Sequence, residues 1–376
     1  MARNRVIYQS EALYVGPTDT SANQKGCNIA HGQSAIKQIQ RVQSANYSFN
    51  LERQDVNQFG ELASIDRVIL SAPTVSLDFS YLVANLYNES GLGFTVLDSD
   101  HSDYISCISG ILNKSSDEKN YFIKTVKEGA DEKSIGAHPD SDTFTEPGGG
   151  HLAQSTIGIG NGFITSYTAE GSVGNFPTAT VNVEALNMVI NSGASGFKIP
   201  SVNPTDGTPH TDYSVVLPVG VSTAANNATT VLRPGQVTVD IVDTAQAYGG
   251  TSFDEMGVLV SDAKIQSYNI SFDLGRTPLE KLGSKFAFAR EIEFPTSATL
   301  DASSIIGDYN ATNDGDGLSN LINNEDPEHD ITVTCAGFGT KTGIKYQLKG
   351  AKLNSHSVSS SIGDNKSLDL SFEAQV

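Results

Sequence analysis

The chain has 376 residues and a formal net charge of −19, from 24 Lys and Arg against 43 Asp and Glu, an acid surplus that excludes a protein built to grip nucleic-acid phosphates. No apolar run approaches the ~18 residues of a membrane-spanning helix, and the opening MARNRVIYQSEALYVG lacks the apolar core of a secretory signal. Cys27, Cys107 and Cys335 sit at no metal-ligand spacing and read as reduced thiols.

Residues 1–38 read as an N-terminal arm with one strand-like run, VIYQSEALYV. Beyond it Tyr47, Phe49 and Leu51 alternate with Asn46, Ser48 and Asn50, and Val75, Leu77 and Phe79 alternate with Thr74, Ser76 and Asp78. A period of two marks strands with one face buried and one wet, here joined by a loop around Gly60. Residues 84–163 hold a short helical pattern, SDYISCISGILNK from Ser102, and the acidic, Gly-rich HPDSDTFTEPGGGH. GIGNG at 158–162 departs from the dinucleotide fingerprint and reads as a flexible turn before a strand. Next comes a hairpin turning at Gly174-Asn175, whose second strand alternates Val181 and Val183 with Thr180, Asn182 and Glu184. Residues 192–263 read as a linker with a small β insertion, carried by YSVVLPVGV and QVTVDIVD.

From residue 264 the pattern starts again. At a constant offset of 223, residues 42–83 align without a gap on 265–306, with identities that include Asn46/Asn269, Phe49/Phe272, Arg53/Arg276, Gly60/Gly283, Arg67/Arg290 and Asp78/Asp301. A weaker echo aligns the segment from Ile164 on that from Leu353, including Ser172/Ser361, Gly174/Gly363 and Glu184/Glu373, with the second hairpin turning at Gly363-Asp364. Self-similarity on this scale predicts a duplicated domain: unit 1 over 39–191 and unit 2 over 264–376. Between the halves of unit 2, GLSNLINNED from Gly317 reads as a second short helix.

SFDLGRTPLEKLGSKFAFAREIEFPTSATLDAS and AKLNSHSVSSSIGDNKSLDLSFEA resemble the strand–loop–strand segments of bacteriophage tail-tube proteins. The resemblance covers roughly 39–190 and 264–376. It implies a mainly β fold with short helices: two tandem β-sandwich or half-barrel units that close into a ring-shaped β-barrel on oligomerisation. Three copies carrying two units each would complete a six-unit ring, similar to trimeric tube proteins of siphophages, and stacked rings would form a conduit for viral DNA that binds none of it specifically. The polar face would line the lumen through Asn46, Ser48, Asn50, Asp78, Ser80 and Glu184, and through Ser267, Asn269, Asp273, Asp301, Ser303 and Glu373. Arg53, Asp55 and Gly60, with Arg276, Glu280 and Gly283, would meet the neighbouring ring. Tape-measure, tail-terminator and baseplate proteins are the further partners implied, with assembly in the host cytoplasm, residence in the virion tail and no membrane.

Enzymatic chemistry is not expected. There is no GxxxxGK[ST] phosphate loop and no GxSxG elbow, and no base is apparent for the cysteines. No cofactor is expected, with one calcium candidate: TNDGDGLSN places Asp314 and Asp316 as in a repeat-type calcium loop. Thr312 stands where the first acid belongs and Asn323 where the closing one does. Acids ahead of a helix explain the same residues. The alternative functions are a distal-tail or baseplate ring protein of the same fold, or a β-rich adhesin or carbohydrate-binding module, which the absence of Trp disfavours.

Overall fold

A computed structural model describes residues 11–18, 36–69, 73–95, 111, 117–126, 154–192, 197–203, 214–215, 217, 232, 235, 237–243, 264–283, 286–287, 289–305, 328–335 and 344–375. The two helices expected from Ser102 and Gly317, the segment around HPDSD and the calcium candidate lie outside these residues, save Ile111.

The chain is mainly β. Its strands are β1 (Glu11–Pro17), β2 (Lys37–Gln38), β3 (Val42–Asn50), β4 (Arg53–Val56), β5 (Asp66–Ile69), β6 (Thr74–Leu82), β7 (Glu118–Val126), β8 (Gln154–Ser172), β9 (Thr178–Ala185) and β10 (Asn187–Ser192). They continue with β11 (Phe197–Lys198), β12 (Ser214–Val215), β13 (Val237–Asp243), β14 (Lys264–Asp273), β15 (Arg276–Leu279), β16 (Ala289–Ile292), β17 (Ser297–Ile305), β18 (His329–Cys335), β19 (Ile344–Ser359) and β20 (Ser367–Gln375). A short helix, α1 (Tyr87–Leu92), ends at Gly93, whose φ of 103° suits a residue without Cβ.

Fourteen strands form one antiparallel sheet, which does not close into a barrel among the described residues. Its central run is β3-β6-β9-β8-β14-β17-β20-β19. The long strands β8 and β19 carry the chain out of this run. The first half of β8 pairs with β7 and β10, and the first half of β19 pairs with β18. One face of the central run is dry: Val75, Leu77, Phe79 and Tyr81 of β6, Val181 and Val183 of β9, Ile270 and Phe272 of β14, and Leu368, Leu370 and Phe372 of β20 are all buried. Strict alternation along each strand puts these side chains on one side.

Strand pairing repeats at the offsets read in the sequence. Asn46 faces Asp78 and Asn269 faces Asp301, and each pair of strands carries a bulge, at Val42/Ser44 and at Ile265/Ser267. Val75 faces Ala185 as Ala298 faces Ala374, and Ser166 faces Asn182 as Ser355 faces Ser371. The turns match as well: Gly60 and Gly283, and Gly174 and Gly363, all have φ between 85° and 97°, where a side chain would be strained.

Strands of the arm and of the linker join the sheet: β1 pairs with β7, and β13 pairs with β18. GIGNG is no flexible turn; it lies inside β8. The reason is close approach. Gly158 and Gly160 back onto Pro200, and a Cβ on Gly160 would come within 2.3 Å of its carbonyl group. Asn161, at φ 55°, then turns its amide to this same segment: Nδ2 donates to the Val202 carbonyl at 3.0 Å and Oδ1 accepts from the Val202 N–H at 2.8 Å.

Nδ2 of Asn161 also donates to Glu118, whose carboxyl burial pushes up to about 7 despite that hydrogen bond. A raised carboxyl favours the folded state while it holds its proton and disfavours it once ionised. The contribution of Glu118 is therefore fully present below about pH 4.5 and is lost as pH rises to about 7, a swing of up to about 3 kcal/mol. Glu118→Gln, which keeps an oxygen for Asn161, is expected to remove this slope and raise stability at pH 8. Denaturant midpoints at pH 5 and pH 8 measure both.

α1 places Glu89 in the core, where it accepts from the Tyr81 hydroxyl at 2.8 Å and the Tyr167 hydroxyl at 3.2 Å; Tyr167 in turn contacts the Tyr346 hydroxyl at 2.9 Å. Burial raises the Glu89 carboxyl, while the two tyrosines and nearby Arg41 hold it down. Tyr346 belongs to β19, so this buried polar knot ties the first set of strands to the second.

Candidate functional site

The wet face of the central sheet gathers every residue expected to line a lumen. β3 and β6 present Ser44, Asn46, Ser48 and Asn50 opposite Ser80, Asp78, Ser76 and Thr74. β9 continues the rows with Glu184 opposite Ser76, and β20 does so with Glu373 opposite Thr299 of β17. On β14 and β17, Ser267 faces Ser303 and Asn269 faces Asp301; Asp273 lies at the end of β14, opposite Ser166. Cross-strand hydrogen bonds organise this surface: Asn46 Nδ2 donates to Asp78 at 2.9 Å, Asn182 Nδ2 to Ser166 at 2.7 Å, and Ser371 Oγ to Asp301 at 2.7 Å.

Charge on this face is mainly negative. Along the eight central strands the wet positions are mostly Ser, Thr, Asn, Asp and Glu, with carboxylates at Asp78, Glu170, Glu184, Asp273, Asp301, Asp369 and Glu373, and one lysine, Lys352 of β19, standing opposite Glu373. A groove on the same face is lined by Glu170, Asp301 and Asp369 and by no Lys or Arg. Such a surface repels phosphates, and short hydroxyl and amide side chains give a polyanion little to hold.

The two β3/β14-side hairpins, β4–β5 and β15–β16, occupy equivalent places and differ in surroundings. β4 and β5 are exposed along their length, with Asp55 pairing Arg67 at 3.2 Å at the surface and the apolar tip residues Phe59 and Leu62 standing free of cover. Gly60, Glu280 and Gly283 are exposed too, as is Leu282, the counterpart of Phe59.

Arg276 departs from the expected inter-ring role. Its side chain is 1% exposed, pairs with Asp117 at 3.3 Å, donates to the Ile164 carbonyl and lies over the Phe163 ring. Arg290 likewise reaches Glu184 at 2.6 Å. Both arginines brace the second hairpin against the first set of strands. An identical residue type in the two repeats hid this difference, because only the second hairpin has the other set beside it within the chain.

The most informative feature is at the two ends of the central run, where β3 and the second half of β19 have no strand on their outer sides among the described residues. Tyr47 and Phe49 of β3 are 43% and 46% exposed on the otherwise dry face, whereas their counterparts Ile270 and Phe272 in β14 are 4% and 7% exposed. On β19, Val358 is 43% exposed, against 0% for its counterpart Ala169. Alternation assigns Tyr47 and Phe49 to the buried face; with no neighbour strand among the described residues, they and Val358 stay open.

No ionisable cluster suited to a metal occurs among the described residues, and no described helix is long and apolar enough to cross a membrane.

No family model matches the chain, and no curated protein does. Among solved structures, a chain from the tail of an empty GTA particle, determined by helical refinement with C6 symmetry, is 14% identical. That match covers 38% of this chain and 92% of the other, with a TM-score of 0.26.

Proposed function

We propose that this chain is the structural subunit of a phage tail tube, in which copies join edge to edge into rings, rings stack, and the wet sheet face lines a conduit for DNA. The observation that carries the reading is the central sheet itself: eight strands, one dry face, one mainly acidic polar face and, among the described residues, two open edges with exposed apolar side chains. Open edges of that kind are an aggregation hazard that cyclic closure removes. The matched registers of the two strand sets support a duplicated unit, each giving four strands to the wall. Three copies would bring 24 strands, eight from each, and at a spacing of about 4.8 Å and a tilt of about 40° these enclose a backbone cylinder about 48 Å across, with room for a DNA duplex. Two copies would enclose only about 32 Å on the same arithmetic.

Tape-measure, tail-terminator and baseplate proteins are the partners this reading implies, with the virion as its place and no enzymatic role. Negative-stain imaging of the purified chain tests it: rings and tubes are expected, and monomers under every condition would overturn it. Phe59 and Leu62, exposed at the first hairpin tip, are placed to meet the next ring. Phe59→Ser with Leu62→Ser is expected to leave rings intact and to shorten the tubes at least several-fold in measured length distributions.

A further inference from the structure

The internal joint between β8 and β14 is a template for a second joint that the single chain cannot make. There Phe272 faces Tyr167, Ile270 faces Ala169, and Ser271 faces Thr168, with the Phe272 and Tyr167 rings stacked at 5.5 Å. Two further backbone hydrogen bonds extend the joint, from Val173 N–H to the Gln266 carbonyl at 2.8 Å and from Leu274 N–H to the Thr165 carbonyl at 2.7 Å. β3 is the counterpart of β14 and β19 the counterpart of β8, at the offsets that hold for every other strand pair of the two sets. Both counterparts have a free outer edge among the described residues.

We propose, resting on the ring reading above, that β3 of one copy pairs antiparallel with β19 of the next in the register of the internal joint. Transferring that register sets Tyr47 opposite Val358 of the next copy, Ser48 opposite Ser357 and Asn46 opposite Ser359. Face parity supports it. Tyr47 and Val358, both exposed on the dry side, cover each other, while Asn46, Ser48, Ser357 and Ser359 all remain on the wet side. A slip of one residue would set apolar against polar along the whole joint.

Charge selects among the remaining registers, which differ by two residues. Across the internal joint Arg290 of the second hairpin reaches Glu184 of β9. The counterparts are Arg67, exposed on the first hairpin, and Glu373, half-exposed on β20. In the transferred register Arg67 meets Glu373 of the next copy; a slip of two residues carries them out of reach of each other. The second copy is therefore the occupant that both edges and both charges fit.

Disulfide trapping tests the register. In a full-length Cys27→Ser, Cys107→Ser background, with buried Cys335 retained, Ser48→Cys with Ser357→Cys is expected to give covalently linked rings on mild oxidation. Ser48→Cys paired with Ser359→Cys or with Ser355→Cys is expected to link at least ten-fold more slowly. Rings seen by electron microscopy with faster linking at either of the latter pairs would overturn the register and leave the ring reading standing. Absence of rings for the unmodified chain would overturn that reading, and this one with it. As a second measurement, Arg67→Glu and Glu373→Arg should each raise the concentration needed for assembly about ten-fold, and the double exchange should restore it. Failure of the double exchange to restore assembly, with both single variants folded, would also overturn the register.

Discussion

Tyr47→Lys together with Phe49→Lys is expected to abolish assembly while leaving the chain folded. In the single chain both side chains are about half exposed on an edge strand, so a lysine at either place keeps its ammonium group in water. The stability change in the monomer should stay within about 0.5 kcal/mol for each. Pairing with a second copy would bury these positions as deeply as Ile270 and Phe272, which are 4% and 7% exposed. Burying an unpaired ammonium costs several kcal/mol, so two of them at each joint take assembly below detection. Ile270→Lys with Phe272→Lys makes the same exchange inside the existing joint and is expected to unfold the chain. Light scattering after gel filtration, with a circular-dichroism melt for each variant, separates the two effects. Assembly of the Tyr47/Phe49 variant at ordinary concentration would show that β3 is not a joining edge.

The second large effect is internal. Arg276→Ala is expected to destabilise the chain by about 3–5 kcal/mol, because it leaves Asp117 without its buried partner. Burial already outweighs the arginine at Asp117, whose carboxyl lies above its ordinary range even with the pair intact. Without Arg276 that carboxyl rises further. The loss should then be smaller at pH 5, where Asp117 can take up a proton, than at pH 8. Arg276→Met with Asp117→Asn should recover much of it, since two uncharged groups of similar size remove the desolvation cost on both sides. Arg53, the counterpart of Arg276, is exposed, and Arg53→Ala is expected to change the melting of the monomer hardly at all. Urea midpoints for the three variants decide the point. Equal losses at Arg53 and Arg276 would show that the two hairpins share one environment.

Much of this architecture is legible in the residues because alternation and repetition are local signals. Val75-Leu77-Phe79 against Thr74-Ser76-Asp78 declares the two faces of β6, and the offset of 223 locates β14 to β17 from β3 to β6. The glycines at the hairpin tips mark turns that need positive φ. What is hidden depends on contacts distant in sequence. β1 and β13 occupy matching places beside β7 and β18, yet EALYVGP and VTVDIVD share no residue pattern that an alignment would keep. GIGNG looks like a turn because Gly158 and Gly160 answer to Pro200, some forty residues away, and not to local geometry. The exposed state of Tyr47, Phe49 and Val358 is invisible for a related reason: alternation reports which face a side chain takes, and says nothing about whether a neighbouring strand is present to cover it.

One measurement bears most directly on ring closure through the two free edges. It is the mass of the assembled ring, taken by native mass spectrometry on particles that electron microscopy shows to be closed. Three copies of the 39.8 kDa chain are expected, with three-fold symmetry in the images. Closed rings of six copies, or a chain that stays monomeric at every concentration, would contradict it.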